Sequence, residues 1–159
     1  MKSKELADRL REVILNGTWV ANTNFKDQIQ DMDFQGANRS LAGRNSIGLL
    51  SQHIHYYIAG VLKAFQTGQL TIRDKFSFDF PPFESQQQWK DFQESFWKDT
   101  EALAQIIQAM PDADLGAAFI DPKYGHMQRN IDGLIEHSYY HLGQVALLKK
   151  MIAQQNGVD

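Results

Sequence analysis

The chain has 159 residues, 43% of them hydrophobic and 22% charged, which predicts a single globular domain spanning 1–159 with a substantial core. It contains no cysteine, which excludes disulfides, thiolate zinc sites, iron–sulfur ligation and a cysteine nucleophile. Its formal net charge is −3, against the basic excess of most nucleic-acid binders, so no nucleic-acid partner is expected.

The N-terminal MKSKELADRL lacks the apolar core of a secretory signal. No apolar run reaches the roughly 18–20 residues of a membrane span, and the C-terminal QQNGVD carries no lipidation signal. These features predict a soluble, cytoplasmic protein without a membrane partner.

Glu5 to Asn16 places Leu6, Leu10, Val13 and Ile14 at helical spacing, and Gly17 stops or bends the helix. A short helix is expected around Phe25 to Gln30. Asp33 to Asn45, rich in Asn, Gly and Ser, reads as a loop. Ser46 is the N-cap of a second helix with a stripe of Ile47, Leu50, Ile54, Ile58, Val61 and Phe65, ended by Thr67 and Gly68. The long connection that follows contains KFSFDFPPF. Its Phe76, Phe78, Phe80 alternation predicts a short extended segment, and Pro81 and Pro82 bar a helix interior. These phenylalanines either roof an apolar pocket or seal the end of the fold, and the sealing role is the expectation.

Ser85 and Gln88 have capping-box spacing. The third long helix carries Trp89, Phe92, Phe96, Leu103, Ile106 and Met110, and Pro111 follows it. A second long connection, from Asp112 to Met127, precedes a last helix running from about Gln128 to Gln154. Its stripe is Leu134, His137, His141, Val145, Leu148 and Ile152. Four amphipathic helices with little strand signal predict an all-α, four-helix bundle with long crossover connections.

His137 and His141 are four residues apart, within about 40° of each other around the helix and in the apolar sector. Buried imidazoles need partners. One solution is a metal, because neutral imidazole ligates zinc, nickel, copper and iron. The other is a structural pair bonded to neighbouring Tyr, Asn or backbone groups. A catalytic metal commonly takes three protein ligands. His53 and His55 flank the inner stripe of the second helix at about 100° to either side. Periodicity leans slightly to His53, which leaves the other at a boundary. His126 is expected at the surface or a pocket rim. The H-E-x-x-H signature and the repeated Glu-x-x-His of di-iron bundles are absent, and Glu136 faces away from the stripe, towards solvent or a dimer partner.

A histidine in the second helix followed by E-H-S-Y-Y-H-L-G-Q in the fourth resembles the DinB-like family of metal-binding bundles. The resemblance runs from about Leu6 to Ile152, and its specific part is the H-x-x-x-H-x-G-Q ending. It implies His53, His137 and His141 as ligands of a divalent transition metal, zinc or nickel first and iron after them. Some members of that family resemble transferases dependent on low-molecular-weight thiols, and most have no assigned reaction. The resemblance thus implies a metal-dependent small-molecule enzyme such as a thiol-dependent transferase. A metal-dependent hydrolase, a metal- or ligand-binding stress protein without turnover, and a purely structural bundle are the alternatives.

Around such a site, helical geometry nominates Asn130, two turns before His137, and Gln144, three residues after His141, to orient a ligand or touch substrate. A helix–helix hydrogen bond is the plainer role for Gln144. Tyr57 and Tyr140 are candidate pocket walls. Arg39, Arg44 and Arg129 are candidate anion holders, each more simply a solvated charge. A homodimer is the expected assembly.

Overall fold

Ser46 and Ser85 both start helices where their positions predict. Ser46 accepts a hydrogen bond from the Leu49 amide at the start of α4 (Ile47–Thr67), and Ser85 accepts one from the Gln88 amide at the start of α5 (Gln86–Ala109). The Gln88 side chain reaches back to the Glu84 amide rather than to that of Ser85 (2.8 Å), so the capping box closes one residue early. Gly68 ends α4 in the left-handed region at φ 72°. The computed structural model describes residues 1–155 and Gly157; Asn156, Val158 and Asp159, on which part of the reading of QQNGVD rests, lie outside the described residues.

The described residues are all-α. The first helix, α1 (Lys2–Arg11), continues into a π-helical turn at Glu12–Asn16, where the Gly17 amide reaches the Glu12 carbonyl (3.1 Å). Then come α2 (Phe25–Ile29) and α3 (Phe34–Asn38). The last helix, α6, covers Met127–Gln155. The α3 helix falls inside the stretch expected to be a loop. Asp33 caps it by accepting from the Gly36 amide (2.6 Å), a local bond that five residues of poor helix propensity need.

The expected extended segment at Phe76–Phe80 is also absent. Asp74–Phe76 forms a 3-10 turn, and among the described residues the only β pairing is an isolated bridge between Ala118 and His126. A period-two pattern makes a strand only when a partner strand meets its backbone groups, and none lies beside this segment.

Helix α1 packs along α5 and touches α6, while α4 packs against both α5 and α6. Their facing stripes make one core, which includes Leu10 and Ile14, Ile54 and Ile58, Trp89 and Phe96, and Ile135 and Val145, all fully buried. Polar contacts set the helix positions. Arg11 holds Glu101 of α5 through two bonds of 3.0 Å. Arg9 meets Asp132 of α6 at 2.7 Å, and the Tyr139 hydroxyl donates to Glu12 (2.7 Å).

The connection leaving α4 folds back along that helix. Gly60 permits this, because a Cβ there would collide with the side chain of Ile72. Two consecutive tyrosines then fasten the returning chain. The Tyr56 hydroxyl accepts from the Arg73 amide (2.9 Å) and donates to its carbonyl (3.1 Å), and the Tyr57 hydroxyl donates to Asp74 (3.0 Å). The chain thereby runs back along α4 from Gly60 until Ser77 and Phe78 reach His53.

Candidate metal centre

His53 on α4 and His137 and His141 on α6 meet where the two helices pack. Their Nε2 atoms lie 3.1 Å apart for His53 and His137 and 2.9 Å apart for His137 and His141. All three residues offer ligand atoms within 4.8 Å of one another. His53 and His141 are buried, at 4% and 6% exposure. His137 is only half-buried, although its stripe position predicts the interior. It lies at the flank of the α4–α6 contact, beside a cavity.

Two rings are oriented through their other nitrogen. His53 Nδ1 donates to the Ser77 carbonyl (3.0 Å), and His141 Nδ1 donates to Gln144 Oε1 (2.7 Å). A carbonyl oxygen only accepts, so neutral His53 carries its proton on Nδ1 and presents a bare lone pair at Nε2. His137 Nε2 cannot donate to His53 and also accept from His141. With three neutral rings, at most one of the two short N···N contacts is therefore a hydrogen bond. The rings are kept neutral in the first place by burial, which pushes all three below the usual histidine range. At His137, repulsion that a proton there would meet from protonated His141 or His53 adds to burial and brings it to about 4. At His141 the bond to Gln144 works against burial, and at His53 the bond to Ser77 does.

A cation at the centre resolves this arrangement. Tetrahedral zinc with Zn–N bonds near 2.05 Å needs ligand nitrogens about 3.3 Å apart; the contacts of His137 with His53 and His141, at 3.1 and 2.9 Å, fall a few tenths of an ångström short of that, and the whole set lies within 4.8 Å. Oxygen acceptors on the Nδ1 side are the partners that metal-bound histidines commonly have. The donor set thus fits a divalent transition metal.

Phe78 stacks on His53, with ring centroids 3.8 Å apart and planes at 8°. KFSFDFPPF therefore reaches the site instead of only sealing an end. Phe78 remains 41% exposed, so it forms an outer wall. Tyr57 sets its ring edge-on to both His53 and His137, at 5.2 Å in each case. The Tyr140 ring lies 4.9 Å from that of His141 but is 65% exposed, so it flanks the site from outside. Gln144 touches His141 within its own helix and, among the described residues, makes no helix–helix bond.

Among the described residues, Asn130 makes no hydrogen bond to His53, His137 or His141. Its amide donates to the carbonyls of Tyr124 (3.0 Å) and His126 (2.9 Å) and so fastens the loop before α6. His55 turns to the opposite side of α4, bonds Asp99 (2.7 Å) and packs on Phe92 and Phe96. His126 is exposed and accepts from the Arg129 amide. Glu136 is exposed and pairs with Arg129 (2.8 Å). Arg39 bonds Gln155 (2.8 Å).

Sequence reasoning did not single out Ser77 or Asp74. A backbone carbonyl leaves no residue-type signal, and Asp74 sits in a connection whose path depends on Gly60 and the two tyrosines. Comparison of the chain with family models, curated proteins and solved structures finds no match, so its chemistry is read from this geometry.

Proposed function

We propose that this protein binds one divalent transition metal through His53, His137 and His141 and uses it in a reaction on a small molecule, with a thiol-dependent transferase of the DinB-like kind as the leading reading. The supporting observation is the convergence of three neutral imidazoles with too few protons to satisfy their short contacts. The pairing of α1, α4, α5 and α6, with long connections before α5 and α6, supports the four-helix-bundle form of that family. Zinc and nickel suit the set best, and iron is also compatible.

When bound, such a metal acidifies a ligated water or thiol and acts as a Lewis acid. The chain supplies the rest. Three neutral ligands leave the ion's charge uncompensated. Gln144 and the Ser77 carbonyl hold two rings in the ligating tautomer, and Phe78 and Tyr57 shield the site from bulk water. The protein has no thiol of its own, so a transferase must take one from a low-molecular-weight cofactor. A hydrolase would need only water.

The test is elemental mass spectrometry of untagged protein beside a His137→Ala, His141→Ala double variant. About one metal per chain, lost in a folded variant, supports the reading and justifies an electrophile screen with and without thiols. No metal after reconstitution with zinc, nickel and iron overturns it.

A further inference from the structure

Beside His137 lies a cavity of about 450 Å³, a size typical of small-ligand sites. It runs along α6 from His137 towards Asn130 and Arg129. Seven residues at 1.5 Å each make this about 10 Å. Its apolar walls are Val61, Leu70, Ile72, Phe119 and Leu134. Among the described residues lining it, Arg129 is the one cation, and it already pairs with Glu136 (2.8 Å). Asp74 lines the end nearer the histidines. Away from the histidines, the cavity therefore offers a charged body no unpaired cation.

The floor has a gap at Gly133, one turn before His137 on the same helical face. A Cβ at Gly133 would meet nothing nearer than the Arg129 guanidinium, at 4.0 Å. Glycine in a helix interior is unfavourable relative to alanine, and no neighbouring atom requires it here. Its effect is to leave open the space that a side chain would fill beside His137. The far wall is preformed. Phe119 is held by its amide bond to the Gly125 carbonyl (2.8 Å), and Asn130 clamps the loop around Tyr124.

We propose that this cavity takes the uncharged apolar or aromatic body, about 10 Å long, of a small molecule whose polar head lies against His137. The assignment of the head rests on the metal reading; the assignment of the body rests on the cavity walls and Gly133. Substrates of this class are amphiphiles with an uncharged apolar body and one metal-ligating head, rather than molecules charged or polyhydroxylated along their length.

The probes are acetohydroxamate and octanohydroxamate, titrated into the zinc-reconstituted protein by calorimetry. Methyl NMR shifts of Val61 and Leu134 report where the chain lies. Six buried methylenes are worth more than a thousandfold at about 0.8 kcal/mol each, and even partial burial at an open mouth leaves about a hundredfold. Octanohydroxamate is expected to bind at least about 100-fold tighter than acetohydroxamate and to shift both methyls. Gly133→Leu, a favourable change for the helix, is expected to weaken octanohydroxamate at least tenfold and leave acetohydroxamate within about twofold. Zinc binding with no gain from chain length, or a gain that Gly133→Leu does not reduce, overturns the proposal and leaves the metal reading standing. If the protein takes up no zinc, the metal reading falls and 1-octanol is titrated into the metal-free protein. Saturable methyl shifts lost in Gly133→Leu then still support the apolar-body assignment, and their absence overturns it.

Discussion

Replacing Gln144 should move metal affinity in opposite directions according to the replacement. The His141 Nδ1–H···Oε1 bond is 2.7 Å long and belongs to a ring that is 6% exposed. Gln144→Leu removes the acceptor while nearly keeping the volume. It frees the ring to rotate and lowers the basicity of Nε2. Loss of such an outer partner typically weakens metal binding 10- to 100-fold, about 1.4 to 2.7 kcal/mol. The metal-free protein should also lose about 1–2 kcal/mol, because a buried N–H is left without a partner. Gln144→Glu keeps the geometry and substitutes a charged acceptor. Charge-assisted bonds are about twice as strong as neutral ones, so zinc should bind several-fold tighter. Competition with a chromophoric chelator measures both affinities, and urea melts of the metal-free variants separate binding from folding. If both variants bind zinc like the parent, the bond does not orient a ligand and the Gln144 argument fails.

Two other outcomes follow from the same geometry. His53→Ala should abolish stoichiometric zinc, whereas His55→Ala should retain it and lose about 1–3 kcal/mol of stability through the lost Asp99 bond and the space left against Phe92 and Phe96; metal analysis and denaturant melts of the pair check this. The metal-free protein should become less stable as pH falls. His137 takes a proton near 6.5 when unfolded and near 4 when folded, so between those values the unfolded state binds more protons. Its contribution is whole above pH 6.5 and is lost on the way down to about 4, with His53 and His141 shifted in the same direction. Melting temperatures of the metal-free protein from pH 7.5 to 4.5 should fall, and those of a His137→Phe variant should fall less.

Much of the helical content is legible in the chain. Ser46, Gly68 and Ser85 mark helix ends because capping is local chemistry, decided within three or four residues. The pairing of His137 with His141 is legible for the same reason, since helical periodicity alone puts them on one face. Where sequence reasoning misplaced something, the deciding partner was distant or subtle. At α3, a single Asp33 side chain turned a polar loop into a helix. Around Phe76–Phe80, alternation promised an extended segment, but the segment's course is set by Tyr56 and Tyr57 and by the room at Gly60.

The choice between His53 and His55 shows the boundary most plainly. The two residues sit symmetrically about the apolar stripe of α4, so periodicity leans only slightly to His53. Tertiary packing decides it. With α5 on one flank of α4 and α6 on the other, His55 meets Asp99 and His53 meets His137. The same packing sends the Ser77 carbonyl to His53 and Phe78 onto its ring. Which residues can ligate, and which face of α6 carries them, follow from residue type and a fixed helical repeat. Which third histidine joins them, what fixes its tautomer and where the adjoining cavity opens depend on contacts between segments 24 to 84 residues apart, and no local pattern encodes those.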